Sequence, residues 1–132
     1  PELILQAAKV MSSAPDTKIV LCHAGSPADR SEQGLEKWSR DLRLLSDMDN
    51  IFCKLSGLGM FDHNWTENSI APIVNECLQQ FGPSRCMFGS NFPVDSLYSD
   101  YSSLIKAYRN IIPKLASETV FDKTARDFYK IH

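Results

Sequence analysis

Polar side chains that can do chemistry come at the ends of three short apolar runs of the sequence. His23 ends the first run, Ser56 lies near the end of the second, and Asn91 follows the third. Imidazole, hydroxyl and amide groups can orient a substrate, polarise a carbonyl or move a proton. If the runs are parallel strands, their carboxyl ends meet at one edge of a sheet, where α/β folds bind ligands. The pattern therefore predicts one site at that edge.

Four charged or titratable residues lie within or just after the same runs. Arg30 and His63 lie in the loops after the first and second runs, Lys54 lies inside the second, and Asp95 follows the third. Each has a plain structural interpretation: a surface ion pair of Arg30 with Asp29, a solvated loop for His63, a helix cap for Asp95. Lys54 either turns to solvent or needs a carboxylate partner.

Several familiar catalytic signatures do not occur in the sequence. There is no G-x-S-x-G elbow, no complete G-x-G-x-x-G turn, and no H-x-H or H-x-x-x-H pair. These patterns mark serine hydrolases, dinucleotide sites and histidine metal sites respectively. We therefore do not expect this chain alone to assemble a complete metal site.

Apolar periodicity and turn residues predict alternating helices and strands. The predicted strands are 17–23, 50–57 and 85–90. The predicted helices are 2–13, a segment capped by Ser31, a segment from Thr66 to Gly82-Pro83 with Pro72 in its first turn, 99–111, and one or two closing helices from Ser117.

The order α-β-α-β-α-β-α-α predicts an α/β fold with a parallel sheet and right-handed crossovers. Two architectures fit it: a small doubly wound sheet, or part of a (β/α)₈ barrel. A whole barrel takes about 250 residues, so 132 residues would form roughly its last three-eighths.

Composition excludes some classes of partner. The net charge of −2 gives no reason to expect nucleic acid, and no apolar run approaches the roughly 18 residues of a membrane span. A small-molecule substrate is the expected partner. A homo-oligomer is also expected, because unpaired sheet edges invite association.

Cysteine usage points to a reducing compartment. The four cysteines have no C-x-x-C spacing, and Cys22, Cys53 and Cys86 lie inside apolar runs. This pattern predicts buried, reduced thiols in a cytoplasmic protein.

Four segments carry a resemblance to a known family. LCHAG at 21–25 is similar to a strand end written D-H-x-G, and CKLSGLG at 53–59 is similar to V-K-L-S-G-L. FGPSRCMFGSNFPVD at 81–95 is similar to F-G-x-x-R-x-M-F-G-S-D-W-P-V, and TARDFYKI at 124–131 to a closing N-A-x-x-F-Y-x-L helix. In this order, over nearly the whole chain, they resemble the amidohydrolase-related (amidohydrolase 2) hydrolases.

The resemblance implies a (β/α)₈ TIM barrel. Residues 1–132 would form a single incomplete segment of it, the C-terminal portion with strands six to eight, after the H-x-H strand of the family. The family's sixth-strand histidine is matched by His23, and its eighth-strand aspartate by Asn91. An amide cannot take a proton from water, whereas Asp95, four residues on, can replace the missing acid.

The resemblance also implies a function. The leading hypothesis is hydrolysis of a small cyclic ester, of the lactonase type, with His23 on the carbonyl oxygen and Asn91 with Asp95 handling the water. Lys54 or Arg30 would hold a substrate carboxylate, and Ser56 and His63 are further substrate-binding candidates. The alternatives are a metal-dependent decarboxylase on the same barrel and a non-catalytic truncated remnant.

No cofactor follows from the residues themselves. The resemblance implies a metal-dependent hydrolase with a divalent metal such as zinc, for which His23 is the candidate ligand. Asn91 supplies one negative charge fewer than an aspartate, so we expect a weak or absent metal requirement.

Overall fold

One parallel sheet with the strand order β1-β2-β3 organises the part of the chain that the structure describes. The structure is a computed structural model that describes residues 2–132, with side chains from Ile4 onward. The strands are Ile19–Leu21 (β1), Ile51–Leu55 (β2) and Cys86–Phe88 (β3). Cys53 of β2 lies opposite Leu21 of β1 and Cys86 of β3. The strand exits therefore lie at one edge of the sheet, as the sequence predicts.

Helices alternate with the strands and close the chain. Their bounds are Glu2–Met11 (α1), Glu32–Ser46 (α2), Glu67–Phe81 (α3), Tyr101–Ile111 (α4), Lys114–Glu118 (α5) and Thr124–Tyr129 (α6), with a π-helical turn at Thr119–Lys123 between the last two. Short 3₁₀ turns follow each strand, at Cys22–Gly25, Leu58–Met60 and Val94–Leu97. Within residues 2–132 the structure contains no helix of the length and apolarity that crossing a bilayer requires.

The predicted caps form at the helix starts. Ser31 accepts a hydrogen bond from the backbone of Gly34, and Thr66 forms a reciprocal capping box with Ser69. The expectation for Pro72 was wrong, because it lies in the second turn of α3. There its ring removes one backbone donor from the helix, and burial of the apolar face of α3 stabilises the helix despite that loss.

The two faces of β2 pack against different elements. Ile51, Cys53 and Leu55 point into the main core, which the inward faces of α2, α3 and α4 complete. Side chains alternate along a strand, so Phe52 and Lys54 point to the opposite face. The ring of Phe52 lies 5.0 Å from that of Phe128, which places the end of the chain against this second face.

All four cysteines are free thiols, as predicted, and three of them are buried. Cys53, Cys77 and Cys86 are buried free thiols, whereas Cys22 is exposed. The prediction for Cys22 was wrong because β1 ends at Leu21 and the chain turns immediately afterwards. A hydrogen bond to Cys53, together with burial, raises the pKa of the Cys86 thiol and keeps it protonated.

Arg85 joins the entrance of β3 to the rest of the fold. Its guanidinium donates hydrogen bonds to the carbonyl oxygens of Ser46, Met48, Ile51 and Phe81 at 2.8–3.2 Å. Three of these carbonyls belong to the end of α2 and the segment that leads into β2. One side chain therefore fixes where β2 and β3 enter the sheet.

Replacing Arg85 should destabilise the fold strongly. Arg85→Met leaves four carbonyl oxygens without their donor, and we expect the free energy of unfolding to fall by about 2–4 kcal/mol. Arg43→Met, at an exposed position of α2, should change it by less than about 0.5 kcal/mol. Urea unfolding of the full-length variants measures both. Equal losses for the two variants would contradict this role of Arg85.

Candidate functional site

The chain leaves each strand through a left-handed backbone conformation. His23 has φ 55°, Gly57 has φ 63° and Asn91 has φ 58°. Glycine adopts this region freely, and histidine and asparagine are among the few other residues enriched there. Each such residue lies two or three residues after the end of a strand, so the side chains of His23 and Asn91 lie at the sheet edge.

His23 is held by the neighbouring strand exit. Its Nδ1 lies 2.9 Å from Ser56 Oγ, and Ser56 is only 2% exposed. The hydroxyl can donate to Nδ1 or accept from it, according to the histidine tautomer. Either arrangement fixes the plane of the imidazole and leaves Nε2 as the nitrogen that can meet a substrate or a metal.

Gly57 packs directly against this imidazole. A Cβ built at Gly57 would lie 2.5 Å from His23 Nδ1 and 2.9 Å from Met60 Cε. A side chain cannot be accommodated there unless His23 moves. Gly57 therefore sets the position of His23 by close approach and by its backbone conformation.

Asn91 and Asp95 form the second pair of the site. Asn91 Nδ2 donates to Asp95 Oδ1 at 2.9 Å, and the backbone N–H of Asp95 donates to the carbonyl of Asn91 at 3.1 Å. Asp95 is only 1% exposed. The interpretation of Asp95 as the cap of the next helix does not hold, because Asp100 caps α4 by accepting from Ser103.

Arg30 turns inward instead of pairing with Asp29. Its Nη2 donates to the carbonyl of Leu58 at 3.0 Å, while Asp29 accepts from the backbone of Ser31. Burial lowers the pKa of the Arg30 guanidinium, and the nearby charge of Asp62 opposes that shift. The surface ion pair considered for Arg30 is therefore not formed.

His63 and Lys54 each contact a tyrosine. The His63 ring stacks on Tyr98 at 4.3 Å, which joins the loops that follow β2 and β3. Lys54 Nζ donates to Tyr129 Oη at 2.8 Å. A Cβ built at Gly89 would lie 3.2 Å from both Lys54 Cδ and Ser56 Cβ. The stem of Lys54 therefore lies beside Ser56.

The structure thus brings the predicted site residues together in separate small groups. His23 contacts Ser56, Asn91 contacts Asp95, and Lys54 lies next to Ser56. Among the hydrogen bonds of residues 2–132, none links the histidine pair to the Asn91 pair.

One residue near the site has no distinguishing sequence signal. Tyr108 is a member of the apolar stripe of α4, yet its buried hydroxyl lacks a partner among the described residues. Burial raises the pKa of the Tyr108 phenol well above its usual value, and the charge of Asp95 adds to the shift. A tyrosine at this spacing is predicted to be an ordinary core residue. The structure is needed to show that its hydroxyl is buried near Asp95.

Metal ligands are incomplete in this segment. Residues 2–132 contain no cluster of three histidine, cysteine or acidic side chains that could hold an ion. Among the described residues, His23 is the candidate ligand, since its Nδ1 is held by Ser56 and ligating imidazoles usually have their second nitrogen held in this way. The described residues therefore fit at most one part of a metal site.

Comparisons with known proteins agree on one family. A family model described as "Amidohydrolase" matches residues 1–131. The protein y4mH of Sinorhizobium fredii is 38% identical over 120 residues, which cover 89% of this chain and 40% of that protein. An L-fucono-1,5-lactonase of Burkholderia multivorans is 36% identical over 104 residues, covering 68% of this chain and 35% of the lactonase. The chain thus spans less than half the length of these curated relatives.

Solved structures give the architecture. Crystal structures of an amidohydrolase from Burkholderia multivorans, one with bound HEPES and one with bound zinc, match 99% of this chain with TM-scores of 0.92 and 0.91 at 26% identity. The chain covers 50% of each. The α/β segment is therefore part of a TIM barrel, as expected, and the doubly wound alternative is excluded.

Adding a methyl group at Gly57 should displace His23. Gly57→Ala places alanine in the left-handed region, which costs about 1–2 kcal/mol. Gly82 has φ 75° and ψ 159°, a region that is essentially confined to glycine, so Gly82→Ala carries at least as much backbone strain. A Cβ at Gly82 would meet nothing within 4 Å, so that variant is a control with backbone strain and no side-chain clash. In crystal structures of the two full-length variants, only Gly57→Ala should part His23 Nδ1 from Ser56 Oγ to more than about 3.5 Å. An undisturbed pair in Gly57→Ala would show that Gly57 does not set the imidazole.

Proposed function

The chain belongs to the amidohydrolase family, and from that premise we propose that it forms part of the active site of a hydrolase that opens a small lactone with an activated water. The lactone as substrate class is supported by the names of the relatives from Burkholderia. The observation that carries the chemistry is the contact between Asn91 and Asp95. It places a carboxylate beside an amide at the exit of β3.

In this proposal Asp95 is the general base. An ionised carboxylate can take the proton of the attacking water, and an amide can only orient that water or the base. Asn91 fixes one oxygen of Asp95 through the 2.9 Å hydrogen bond. The pair therefore divides the roles that a single aspartate would combine.

His23 acts on the other side of the reacting carbonyl. Its Nδ1 is bound to Ser56, so Nε2 is the nitrogen directed at the lactone. A protonated Nε2 can donate to the carbonyl oxygen as negative charge develops there. Ser56 acts on the substrate through His23 in this arrangement, and the stacked His63 lines the mouth of the site.

Lys54 is better placed than Arg30 to hold a carboxylate of the substrate. Its ammonium is bound to the neutral hydroxyl of Tyr129 and keeps donors for an anion. Arg30 Nε and Nη1 are buried, so they face the protein interior. We assign the anion-binding role to Lys54.

The zinc-bound amidohydrolase structure supports a divalent metal as a cofactor of the full-length protein. A metal bound at His23 would polarise the lactone carbonyl or activate water. His23 is one neutral ligand, and Asn91 brings no charge to the site. The metal would therefore be held mainly by residues outside this segment.

Substitutions at Asn91 and Asp95 separate their roles. In the full-length enzyme with a lactone that it hydrolyses, Asp95→Asn should lower kcat by about 10²–10⁴-fold, as loss of a general base does. Asn91→Ala should cost less, roughly 10–10³-fold, because it removes a hydrogen-bond donor. Steady-state kinetics measures both. The assignment fails if Asp95→Asn stays near full activity while Asn91→Ala abolishes it.

Metal removal tests the weak metal dependence. Treating the full-length enzyme with a chelator should lower kcat by less than about tenfold, because Asn91 supplies no anionic ligand. Asn91→Asp should bind zinc more tightly and lose more activity on chelation. Elemental analysis and activity before and after chelation measure these effects. A stoichiometric metal with complete loss of wild-type activity would contradict the expectation.

A further inference from the structure

Five buried side-chain polar atoms lack a partner among the described residues, one in Trp65 and four in Arg30, Tyr108 and Asp95. We consider the four. They are Nε and Nη1 of Arg30, Oη of Tyr108 and Oδ2 of Asp95. Tyr108 and Asp95 are each 1% exposed. Proteins almost always satisfy such atoms, with protein groups or with ordered water. A group of four requires an explanation.

The three side chains come from different segments and are each fixed at one end. Arg30 follows β1 and donates to the carbonyl of Leu58. Asp95 follows β3 and accepts from Asn91. The Tyr108 ring of α4 packs on Phe88 of β3 at 5.0 Å. Their unpartnered ends are therefore held in defined places.

Tyr108 lies within the fields of both charged groups. Burial raises the pKa of its phenol, the negative charge of Asp95 raises it further, and the positive charge of Arg30 lowers it. The phenol stays protonated under these influences. It therefore has one proton to donate and lone pairs to accept.

The hydrogen-bonding capacities of the three groups are complementary. The Arg30 guanidinium only donates, an ionised Asp95 only accepts, and the Tyr108 hydroxyl does both. The direct contacts are not made, and a buried water typically makes about three hydrogen bonds to such groups. Buried water between Arg30, Tyr108 and Asp95 gives these atoms the partners that they lack.

We propose that Tyr108 and Arg30 are positioning residues for Asp95, joined to its Oδ2 by a buried water-filled relay. Asn91 holds Oδ1 of the carboxylate, and the relay holds Oδ2. Each oxygen has a second lone pair, so Oδ1 can still take the proton of the attacking water. Donors to the charged form of a carboxylate favour that form. The relay therefore holds the base in a fixed orientation. The catalytic consequence rests on the function proposed for Asp95, whereas the relay itself does not.

A crystal structure of the full-length protein, at a resolution that shows ordered water, tests the relay directly. We expect a water within about 3.2 Å of both Tyr108 Oη and Asp95 Oδ2. The proposal is overturned if side chains from the rest of the protein bind these atoms, or if the space is filled by apolar groups. This outcome does not depend on which substrate the enzyme uses.

Kinetics of Tyr108→Phe, which removes one hydroxyl, tests its effect on Asp95. We expect kcat for the lactone to fall by about 10–100-fold with KM little changed. The acidic limb of the pH–rate profile should move to higher pH, because the charged carboxylate loses a donor. Tyr101→Phe, at a half-exposed position of the same helix, should leave both unchanged.

Double variants distinguish positioning from a merely structural role. In an Asp95→Asn background, Tyr108→Phe should have almost no further effect, since the two residues act as a unit. Arg30→Gln should shift the acidic limb of the pH–rate profile in the same direction. It replaces Tyr108→Phe as the test if that variant does not fold. An active enzyme whose pH profile is unmoved by both variants overturns the positioning role and leaves the lactonase proposal standing. An enzyme that opens no lactone, with the water in place, overturns the proposed function alone.

Discussion

The site depends on the parallel, in-register pairing of three strands. Parallel pairing brings the exits of β1, β2 and β3 to one edge. At that edge the chain must turn away from the sheet, and it does so at His23, Gly57 and Asn91 through the left-handed region. Two of these turns carry site side chains, and the third lies against one of them. His23 and Asn91 therefore meet two requirements at once: each adopts a positive φ, and each supplies a polar side chain to the site.

This coincidence gives a physical reason for asparagine at position 91. Asparagine tolerates a positive φ, and its amide donates to Asp95. An aspartate at 91 would tolerate the backbone, but it would put two carboxylates within hydrogen-bonding distance. Their repulsion would raise the pKa of one of them. An amide at 91 and an acid at 95 are thus a consistent pair.

Local patterns predicted the elements and their order well. Alternating apolar runs and helical stripes give a parallel sheet, and Ser31 and Thr66 mark helix starts by side-chain chemistry that acts within one turn. The strand limits were less accurate, because β1 ends at Leu21 and the chain enters the left-handed region at His23. The local sequence around a histidine predicts such a left-handed turn only weakly.

Contacts between residues far apart in the chain could not be predicted from the sequence. The inward course of Arg30 depends on a carbonyl 28 residues away, and Tyr108 has the spacing of an ordinary core residue. The second turn of α3 accommodates Pro72 because tertiary packing outweighs one lost backbone bond. These outcomes depend on which surfaces meet, and local propensity does not encode that.

The two halves of the site differ in what holds them. Asn91 and Asp95 are four residues apart and share one turn, so their contact forms with the turn itself. His23 and Ser56 are 33 residues apart and meet only when β1 and β2 pair. Any loosening of the sheet therefore disturbs the imidazole before the carboxylate. Arg85, which fixes the entrances of β2 and β3, anchors the strand that leads to Ser56 in the histidine half.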